Sequence, residues 1–134
     1  MTKKVFTNGC FDILHIGHVR LLEYCKQFGN VVVGLNSDLS VTNLKGSERP
    51  INNVNDRKEF LLALRFVDEV VIFEEKTPLK LIKKIKPDII VKGGDYRIEE
   101  IIGSREVLNY GGEVKIFPFV AEKSSTSIIK FLKK

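Results

Sequence analysis

The chain has 134 residues, a hydrophobic content of 43% and a formal net charge of +5. This length suits one domain with a buried core, and every apolar run falls far short of the ~20 residues that span a bilayer. The positive charge favours an anionic partner, but acidic residues interleave with the basic ones and no aromatic platform for single-stranded nucleic acid is present. We therefore expect one domain over residues 1–134, with neither nucleic acid nor a membrane as partner.

The N-terminus and the cysteines favour a cytoplasmic protein. Met1 leads at once into a β-favouring run, without the apolar region and cleavage site of a secretory signal. Cys10 and Cys25 have neither the number nor the spacing of a disulfide framework or a zinc site. We expect reduced thiols in both places, with Cys25 packed in the core.

The first half of the chain predicts a strand, a helix, a second strand and a long polar segment. Residues 4–7 favour a strand, and Val19, Leu22, Cys25 and Phe28 then recur at helical spacing until Gly29 and Asn30 stop the helix. The continuous apolar run over 31–35 is typical of a parallel strand that is covered on both faces. The polar segment over 36–53 predicts the least structured stretch and a candidate binding loop.

The second half continues the alternation of helices and strands. The next predicted helix covers 56–67, with Phe60, Leu61, Leu64 and Val67 on its apolar face, and a strand follows over 69–73. Thr77 and Pro78 predict the N-cap and first residue of a helix that ends at Lys86. The remaining predicted elements are a strand over 89–91, a helix over 99–110, a strand over 114–117 and a helix over 124–134. This order indicates a single doubly wound α/β domain with about five parallel strands and a Rossmann-like fold.

Unusual polar and glycine residues follow the carboxyl ends of several predicted strands. Ligands of open parallel sheets bind beyond those ends, where the strand order reverses. The residues concerned are Gly9, Cys10, Phe11, Asp12, His15, Gly17 and His18, then Asn36, Ser37 and Asp38, then Lys92, Gly93, Gly94 and Asp95, and finally Ser124 to Ser127. We expect them to meet at one rim of the sheet.

The sharpest signal is His15-Ile16-Gly17-His18, which uses both histidines of the chain where a helix begins. Two donors at a helix N-terminus favour phosphate, because the unpaired amides and the helix dipole attract anions there. Gly17 would let phosphate approach the backbone. Ordinary helix-start residues and a zinc site are weaker interpretations, and neither the dinucleotide fingerprint nor the P-loop is present.

The run from Gly9-Cys10-Phe11-Asp12 to His15-Ile16-Gly17-His18 resembles the signature of the cytidylyltransferase-like nucleotidyltransferases. Within that family, further segments most resemble the adenylyltransferases of D-glycero-β-D-manno-heptose 1-phosphate. These segments are 35–38, 44–50, 67–68, 73–78, 91–96, 111–114 and 125–129. The resemblance implies transfer of AMP from ATP to the sugar phosphate, often in a two-domain protein of which this chain would be the transferase half alone.

Glycerol-3-phosphate cytidylyltransferases are the nearest alternative. They resemble this chain in both opening motifs, but carry an arginine where this sequence has Val120. They also have Gly-Asp-Asp where Gly93-Gly94-Asp95 stands here. A non-catalytic nucleotide-binding module on the same fold is a further alternative, although such a module would not need both histidines.

The resemblance also implies roles for individual residues. His15, His18 and Lys45 would be catalytic, with Lys45 and Arg49 as mobile cations that close over the phosphates. The substrate would contact Lys92 and Asp38. The nucleotide would contact Gly9, Cys10, Phe11, Asp12, Gly17, Asn36, Arg49, Gly93, Asp95, Ser125, Thr126 and Ser127. No residue is assigned to a metal; Mg²⁺ would be held mainly by the triphosphate, and a homodimer or larger homo-oligomer is expected.

Several roles stay open at this point. Asp12 would orient the first loop through backbone hydrogen bonds rather than bind a metal, and Arg57 would support the loop rather than touch phosphate. Lys92 faces either the substrate phosphate or solvent, and Asp95 contacts the base and ribose or forms a turn. Residues Ser125 to Ser127 cap a helix, bind phosphate, or do both.

Overall fold

The computed structural model describes residues 2–118, in which five strands form one parallel sheet. The strands are β1 (Lys4–Gly9), β2 (Asn30–Asn36), β3 (Glu69–Phe73), β4 (Ile89–Gly93) and β5 (Glu113–Phe117). The helices are α1 (Ile16–Lys26), α2 (Asp38–Lys45), α3 (Val54–Ala63), α4 (Leu79–Ile85) and α5 (Ser104–Asn109), with a short 3₁₀ helix at Ile98–Glu100. The strand order β3-β2-β1-β4-β5 confirms the predicted doubly wound α/β fold.

The strand order reverses beside β1, and there the sheet is partly open. β1 pairs with β2 along its full length, from Lys4↔Asn30 to Gly9↔Leu35. Within residues 2–118, β1 pairs with β4 only at Val5↔Ile89 and Phe6↔Ile90, although the two strands run on to Gly9 and Gly93. The carboxyl ends of β1 and β4 therefore diverge, and main-chain groups of both strands face the gap between them.

Apolar side chains alternate across the sheet and build a core on each face. Val5, Val31 and Val33 pack with Leu22 and Cys25 of α1 on one face. Phe6, Val32 and Ile90 pack with Ile82 of α4 and Val107 of α5 on the other. The central strand β1 is thus covered on both sides, as strands of a parallel sheet require, and Cys25 lies in the core as predicted.

The polar segment over 36–53 differs from its prediction, because it contains the helix α2. Ser37 caps this helix, since its hydroxyl accepts the backbone N–H of Ser40 at 3.1 Å. Val41 is fully buried and anchors the helix to the core. The sequence prediction of a largely unstructured stretch was wrong because one buried valine and a good cap suffice for a helix this short.

Two further helices have other boundaries than predicted. The helix expected over 99–110 is divided by Gly103, which has φ +88° and separates the 3₁₀ helix from α5. A Cβ at that position would lie 2.7 Å from the Ile82 side chain, so the chain turns there in close contact with α4. The helix expected over 56–67 is α3, which is capped by the Asn53 side chain. Phe60, predicted on its apolar face, is 54% exposed.

The start of α4 lies one residue later than expected. Pro78 rather than Thr77 is its N-cap, and the Thr77 hydroxyl accepts the N–H of Leu79 only at 3.4 Å. Ile82 on the predicted apolar stripe is buried, whereas Leu79 and Ile85 are half-buried. The helix predicted over 124–134 lies outside the described residues. Between residues 2 and 118, no helix has the length and apolar character needed to cross a bilayer.

Candidate functional site

A crevice of about 420 Å³ lies at the carboxyl ends of the strands. Its walls come from the loop after β1, the end of β2 with α2, the segment from β3 to α4, and the end of β4. The lining residues are Asn8, Gly9, Cys10, Phe11, Asp12, His18, Asn36, Leu44, Lys45, Arg49, Phe73, Lys76, Pro78 and Lys92. Of the residues that sequence reasoning placed at the rim, the crevice brings together Gly9, Cys10, Phe11, Asp12, His18, Asn36 and Lys92.

Sequence reasoning missed part of the lining. Asn8 directly precedes Gly9. Phe73 is the last residue of β3, and Lys76 and Pro78 follow it, at the one predicted strand end that contributed no candidate. Applying the strand-end rule to β3 as well would have found these residues. Leu44 lies in the resembling segment 44–50 but was given no role of its own, because its place in the lining depends on α2.

The histidine pair is oriented by the start of α1. The N–H of Gly17 donates to Nδ1 of His15 at 3.0 Å, and the N–H of His15 donates to Nδ1 of His18 at 3.3 Å. The two rings stack with centroids 3.9 Å apart. A neutral imidazole that accepts a hydrogen bond at Nδ1 carries its proton at Nε2. Capping therefore leaves each histidine with its donor at Nε2, the arrangement that suits a phosphate oxygen.

His18 is held in its neutral form. Burial, together with the neighbouring His15, lowers the pKa of His18 from 6.5 to about 4. The Phe11 ring, with its centroid 5.0 Å from that of His18, forms part of the apolar surroundings. Near neutral pH, His18 therefore offers a neutral N–H donor rather than a fixed positive charge.

Asp12 anchors the segment before α3 to the loop after β1. Its carboxylate accepts Nε of Arg49 at 2.7 Å and the N–H groups of Ile51 and Asn52 at 2.9 Å, and the side chain of Asn52 donates back to the Asp12 carbonyl at 2.6 Å. Although burial would raise the pKa of Asp12, these hydrogen bonds hold it below its ordinary value. The carboxylate is thus used in positioning the loop.

Arg49 is consequently not the mobile cation that the sequence suggested. Its side chain is 9% exposed, and Nε is fixed by Asp12. The guanidinium still lines the crevice, so it presents charge to a ligand from a fixed position. Lys45, the last residue of α2, is exposed at the crevice mouth and remains a candidate for a moving cation.

Arg57 is fully buried beneath the site and joins four segments. Nη1 donates to the carbonyls of Cys10 and Asn36 at 2.8 Å, and Nε donates to the carbonyl of Asn52 at 2.9 Å. Nη2 pairs with the Asp38 carboxylate at 2.7 Å. Arg57 therefore supports the loops, in line with the sequence interpretation.

Lys92 and Cys10 lie on either side of the gap between β4 and β1. Burial lowers the pKa of Lys92, whose ammonium lies 5.3 Å from the centre of the Tyr96 ring. Burial also raises the pKa of the Cys10 thiol, although Lys45, Arg57 and Arg49 act in the opposite direction. Cys10 is therefore a neutral thiol at neutral pH and a poor nucleophile.

The remaining predicted site residues have different positions. Gly93 lines a smaller cavity of about 140 Å³ between β1 and β4, while the exposed Asp95 does not line the crevice described above. The Asp38 carboxylate accepts a hydrogen bond from Arg57, and the N–H of Gly17 donates to the side chain of His15. Ser125, Thr126 and Ser127, like Val120, lie outside the described residues.

The donor set of the crevice does not form a metal cage. Across residues 2–118, no group of three or more histidine, cysteine, aspartate or glutamate side chains is arranged to hold a metal ion. The carboxylate of Asp12 is already occupied by Arg49 and backbone amides. A divalent cation at this site would need its ligands mainly from a bound phosphate and water.

Comparison with known proteins places the whole described site inside one family. A family model described as cytidylyltransferase-like matches residues 6–131. Bifunctional protein HldE of Geotalea uraniireducens is 54% identical over 127 residues, which cover 94% of this chain and 26% of that protein. The HldE protein of Campylobacter concisus is 57% identical over 132 residues, which cover 98% of this chain and 27% of that protein.

This chain thus spans 26% and 27% of the length of these two relatives. Among solved structures, a lipopolysaccharide core biosynthesis protein from Thermoplasma volcanium is similar with a TM-score of 0.71 and 30% sequence identity. The match covers 89% of this chain and 97% of that one. The histidine motif, the open parallel sheet and these matches agree, and the chain belongs to the cytidylyltransferase-like family of nucleotidyltransferases.

Proposed function

We propose that the chain transfers AMP from ATP to D-glycero-β-D-manno-heptose 1-phosphate, giving ADP-heptose and pyrophosphate. The observation that carries the proposal is the capped histidine pair at the start of α1. Both histidines keep an N–H donor at Nε2, and His18 lines the crevice at the switch point of the sheet. Developing charge on a phosphoryl group is stabilised by donors fixed before the reaction.

In the proposed reaction, a phosphate oxygen of the sugar phosphate attacks the α-phosphorus of ATP in line, and the bond to pyrophosphate breaks. The attacking phosphate is ionised at neutral pH, so no general base is required. Nε2 of His18 donates to an α-phosphate oxygen, and His15 donates to a neighbouring phosphate oxygen. Lys45, Arg49 and Lys92 supply positive charge around the phosphates, and catalysis is mainly positioning and charge neutralisation.

A magnesium ion bound to the triphosphate would neutralise the leaving pyrophosphate. The described donor set fits this arrangement, because the protein offers cations and N–H donors but no free cluster of carboxylates. The protein's own residues then orient the phosphates, and the gap between β1 and β4 receives the nucleoside.

The names of similar proteins support the choice of substrate. The HldE relatives share more than half of their aligned residues with this chain, and the related structure carries a title that refers to lipopolysaccharide core biosynthesis. The alternative is CTP-dependent cytidylyl transfer to glycerol 3-phosphate. The description of the family model, cytidylyltransferase-like, refers to the cytidylyl transfer but names no acceptor.

A substrate panel tests the proposal. Pyrophosphate release is measured with ATP or CTP and with the β- and α-anomers of the heptose 1-phosphate or glycerol 3-phosphate. We expect turnover with ATP and the β-anomer, less with the α-anomer, and little with CTP and glycerol 3-phosphate. A kcat/KM at least about tenfold higher for CTP and glycerol 3-phosphate would overturn the substrate assignment and leave the reaction class intact.

A further inference from the structure

Lys92, near the end of β4, lies where three cavities meet. It lines the crevice of about 420 Å³, the cavity of about 140 Å³ between β1 and β4, and a third cavity of about 130 Å³ that Glu100 and Ile101 also line. Asn8 of β1 is the other residue common to all three. A ligand that extends from the gap between β1 and β4 into the crevice therefore passes the Lys92 ammonium.

This lysine has no acidic partner in the described part of the chain. Between residues 2 and 118, no carboxylate forms an ion pair with it. Burial lowers the pKa of Lys92, and the charge of Lys45 acts in the same direction. Because a buried cation costs free energy unless another group compensates for the lost water, the ammonium needs a different partner.

The Tyr96 ring is that partner. Its centre lies 5.3 Å from Nζ of Lys92, within the range of a cation–π interaction. The ring rests on Gly94, where a Cβ would lie 2.8 Å from it. Gly94 has φ +126°, so glycine suits both the turn of the chain and the close approach of the ring.

An aromatic ring differs from a carboxylate in its effect on an incoming phosphate. A carboxylate beside Lys92 would repel the anion and would compete for the N–H donors of the ammonium. The uncharged ring attracts the cation without accepting strong hydrogen bonds. Lys92 is thus held before a ligand binds and can still donate to it.

We propose that Tyr96 is a positioning residue that holds the Lys92 ammonium at the junction of the three cavities, where it donates to a phosphate of the bound substrates. The inference rests on the proposed function, in which Lys92 supplies charge beside the phosphates. It adds a residue outside the crevice lining that prepares this cation. Donors that are fixed before the reaction need no reorganisation when the transition state forms.

The variants Tyr96→Leu and Tyr96→Phe separate this role from simple packing. Leucine keeps an apolar side chain without a ring, whereas phenylalanine keeps the ring and loses only the hydroxyl. We expect Tyr96→Leu to lower kcat/KM for pyrophosphate release by about tenfold, as expected for the loss of one partly desolvated cation–π contact. Tyr96→Phe should retain nearly normal kcat/KM, and equal losses in both variants would contradict a role of the ring.

The matched control is Tyr110→Leu. The Tyr110 ring lies at the same distance of 5.3 Å from the Lys86 ammonium, and neither residue lines the crevice. This variant also loses the hydrogen bond from the Tyr110 hydroxyl to the carbonyl of Pro87, so its stability should fall while kcat/KM stays unchanged. A loss of kcat/KM as large as that of Tyr96→Leu would overturn the proposal.

NMR spectra test the contact itself, without turnover. Protons over the face of an aromatic ring are shifted upfield, so the Hε signals of Lys92 in the free chain should lie upfield of those of an exposed lysine such as Lys83. The Lys92 signals are assigned by their absence in Lys92→Arg. Tyr96→Leu should remove the upfield shift and Tyr96→Phe should keep it. Ordinary Lys92 signals in the unsubstituted chain would refute the contact.

These tests distinguish the inference from the proposed function. If the substrate panel identifies another nucleotide or acceptor, only the proposed function fails, and the same variants still test Tyr96. If the panel gives no turnover, titration with ATP and magnesium decides the question. ATP should shift the Lys92 signals and bind Tyr96→Leu about tenfold more weakly. Equal affinity of ATP for Tyr96→Leu and the unsubstituted chain would then overturn the inference.

Discussion

Nε of Arg49 donates to Oδ2 of Asp12 at 2.7 Å, between side chains that are 9% and 0% exposed. The pair joins residues that lie 37 positions apart in the chain. It turns a segment that looks like a free loop in the sequence into a fixed wall of the crevice. Because this ion pair is buried, loss of either partner should affect both the stability of the fold and the geometry of the crevice.

Replacement of Asp12 by alanine should destabilise the fold, because it leaves the Arg49 charge buried and removes the acceptor for the amides of Ile51 and Asn52. We expect the free energy of unfolding to fall by about 3 to 5 kcal/mol, measured by chemical denaturation. The control is Glu23→Ala, which breaks the exposed ion pair with Arg20 and should cost less than ~1 kcal/mol. Similar losses for the two variants would contradict the role of Asp12.

Removal of the His18 imidazole should lower kcat by about 10²-fold or more, the usual loss for one donor to a transition state. Pyrophosphate release measures the effect, and circular dichroism checks the fold. His15→Asn is the informative partner variant, because asparagine keeps an N-cap acceptor for α1 but lacks the Nε2 donor. The His15→Asn variant should lose activity while keeping its stability. Near-normal turnover in both His15→Asn and His18→Ala would contradict a role of the histidines in the mechanism.

The pKa of His18 predicts a specific dependence on pH. In NMR titrations of the free chain, the imidazole should titrate near 4, and a bound triphosphate analogue should raise this value because negative charge favours the protonated ring. Since the pKa is lower in the folded chain, the unfolded state binds the proton first as pH falls. Stability should therefore decrease as pH falls from 6.5 through about 4.

A substituted variant provides the control for the dependence of stability on pH. His18→Ala should lose less stability over that interval, because its folded and unfolded states no longer differ at this group. A titration midpoint near the ordinary histidine value in the free chain would contradict the burial argument.

Trypsin should cleave the free chain after Lys45, at the exposed end of α2, and nucleotide with magnesium should suppress this cleavage. Gly46 follows with φ +110°, and the exposed residues up to Glu48 lie beyond it, so this junction is accessible. Arg49 is a poor site because it is buried and precedes proline. Cleavage at equal rates with and without ligand would argue against closure of Lys45 over the phosphates.

The sequence predicted the sheet and the histidine pair because both are encoded locally. A continuous apolar run specifies a covered strand such as β2, and two histidines three residues apart at a helix start must lie close together. The Asp12 anchor could not be predicted in this way. Its partners lie 37 to 40 positions away, and hydrogen bonding over that separation is decided by tertiary structure.

The missed helix α2 has a related cause. Its sequence, Asp38-Leu39-Ser40-Val41-Thr42-Asn43-Leu44-Lys45, includes several residues that favour turns or strands. Burial of Val41 together with the Ser37 cap makes a helix the better choice. The position of Leu44 in the lining of the crevice depends on this helix. A prediction that treated the segment as a loop could therefore not find it.

Because β1 and β4 pair only as far as Phe6 and Ile90 within residues 2–118, peptide groups of both strands border the gap between them. Peptide groups are the same in every protein, so substitutions at these positions can alter the contour of the gap but cannot delete its donors and acceptors. If the gap receives the nucleoside, as the proposed function requires, two relatives that differ at every side chain around the gap could still bind that nucleoside through the same main-chain atoms. Residue-by-residue comparison would thus understate what such enzymes have in common, and attempts to exchange one base for another should target the rim of the gap rather than its peptide groups.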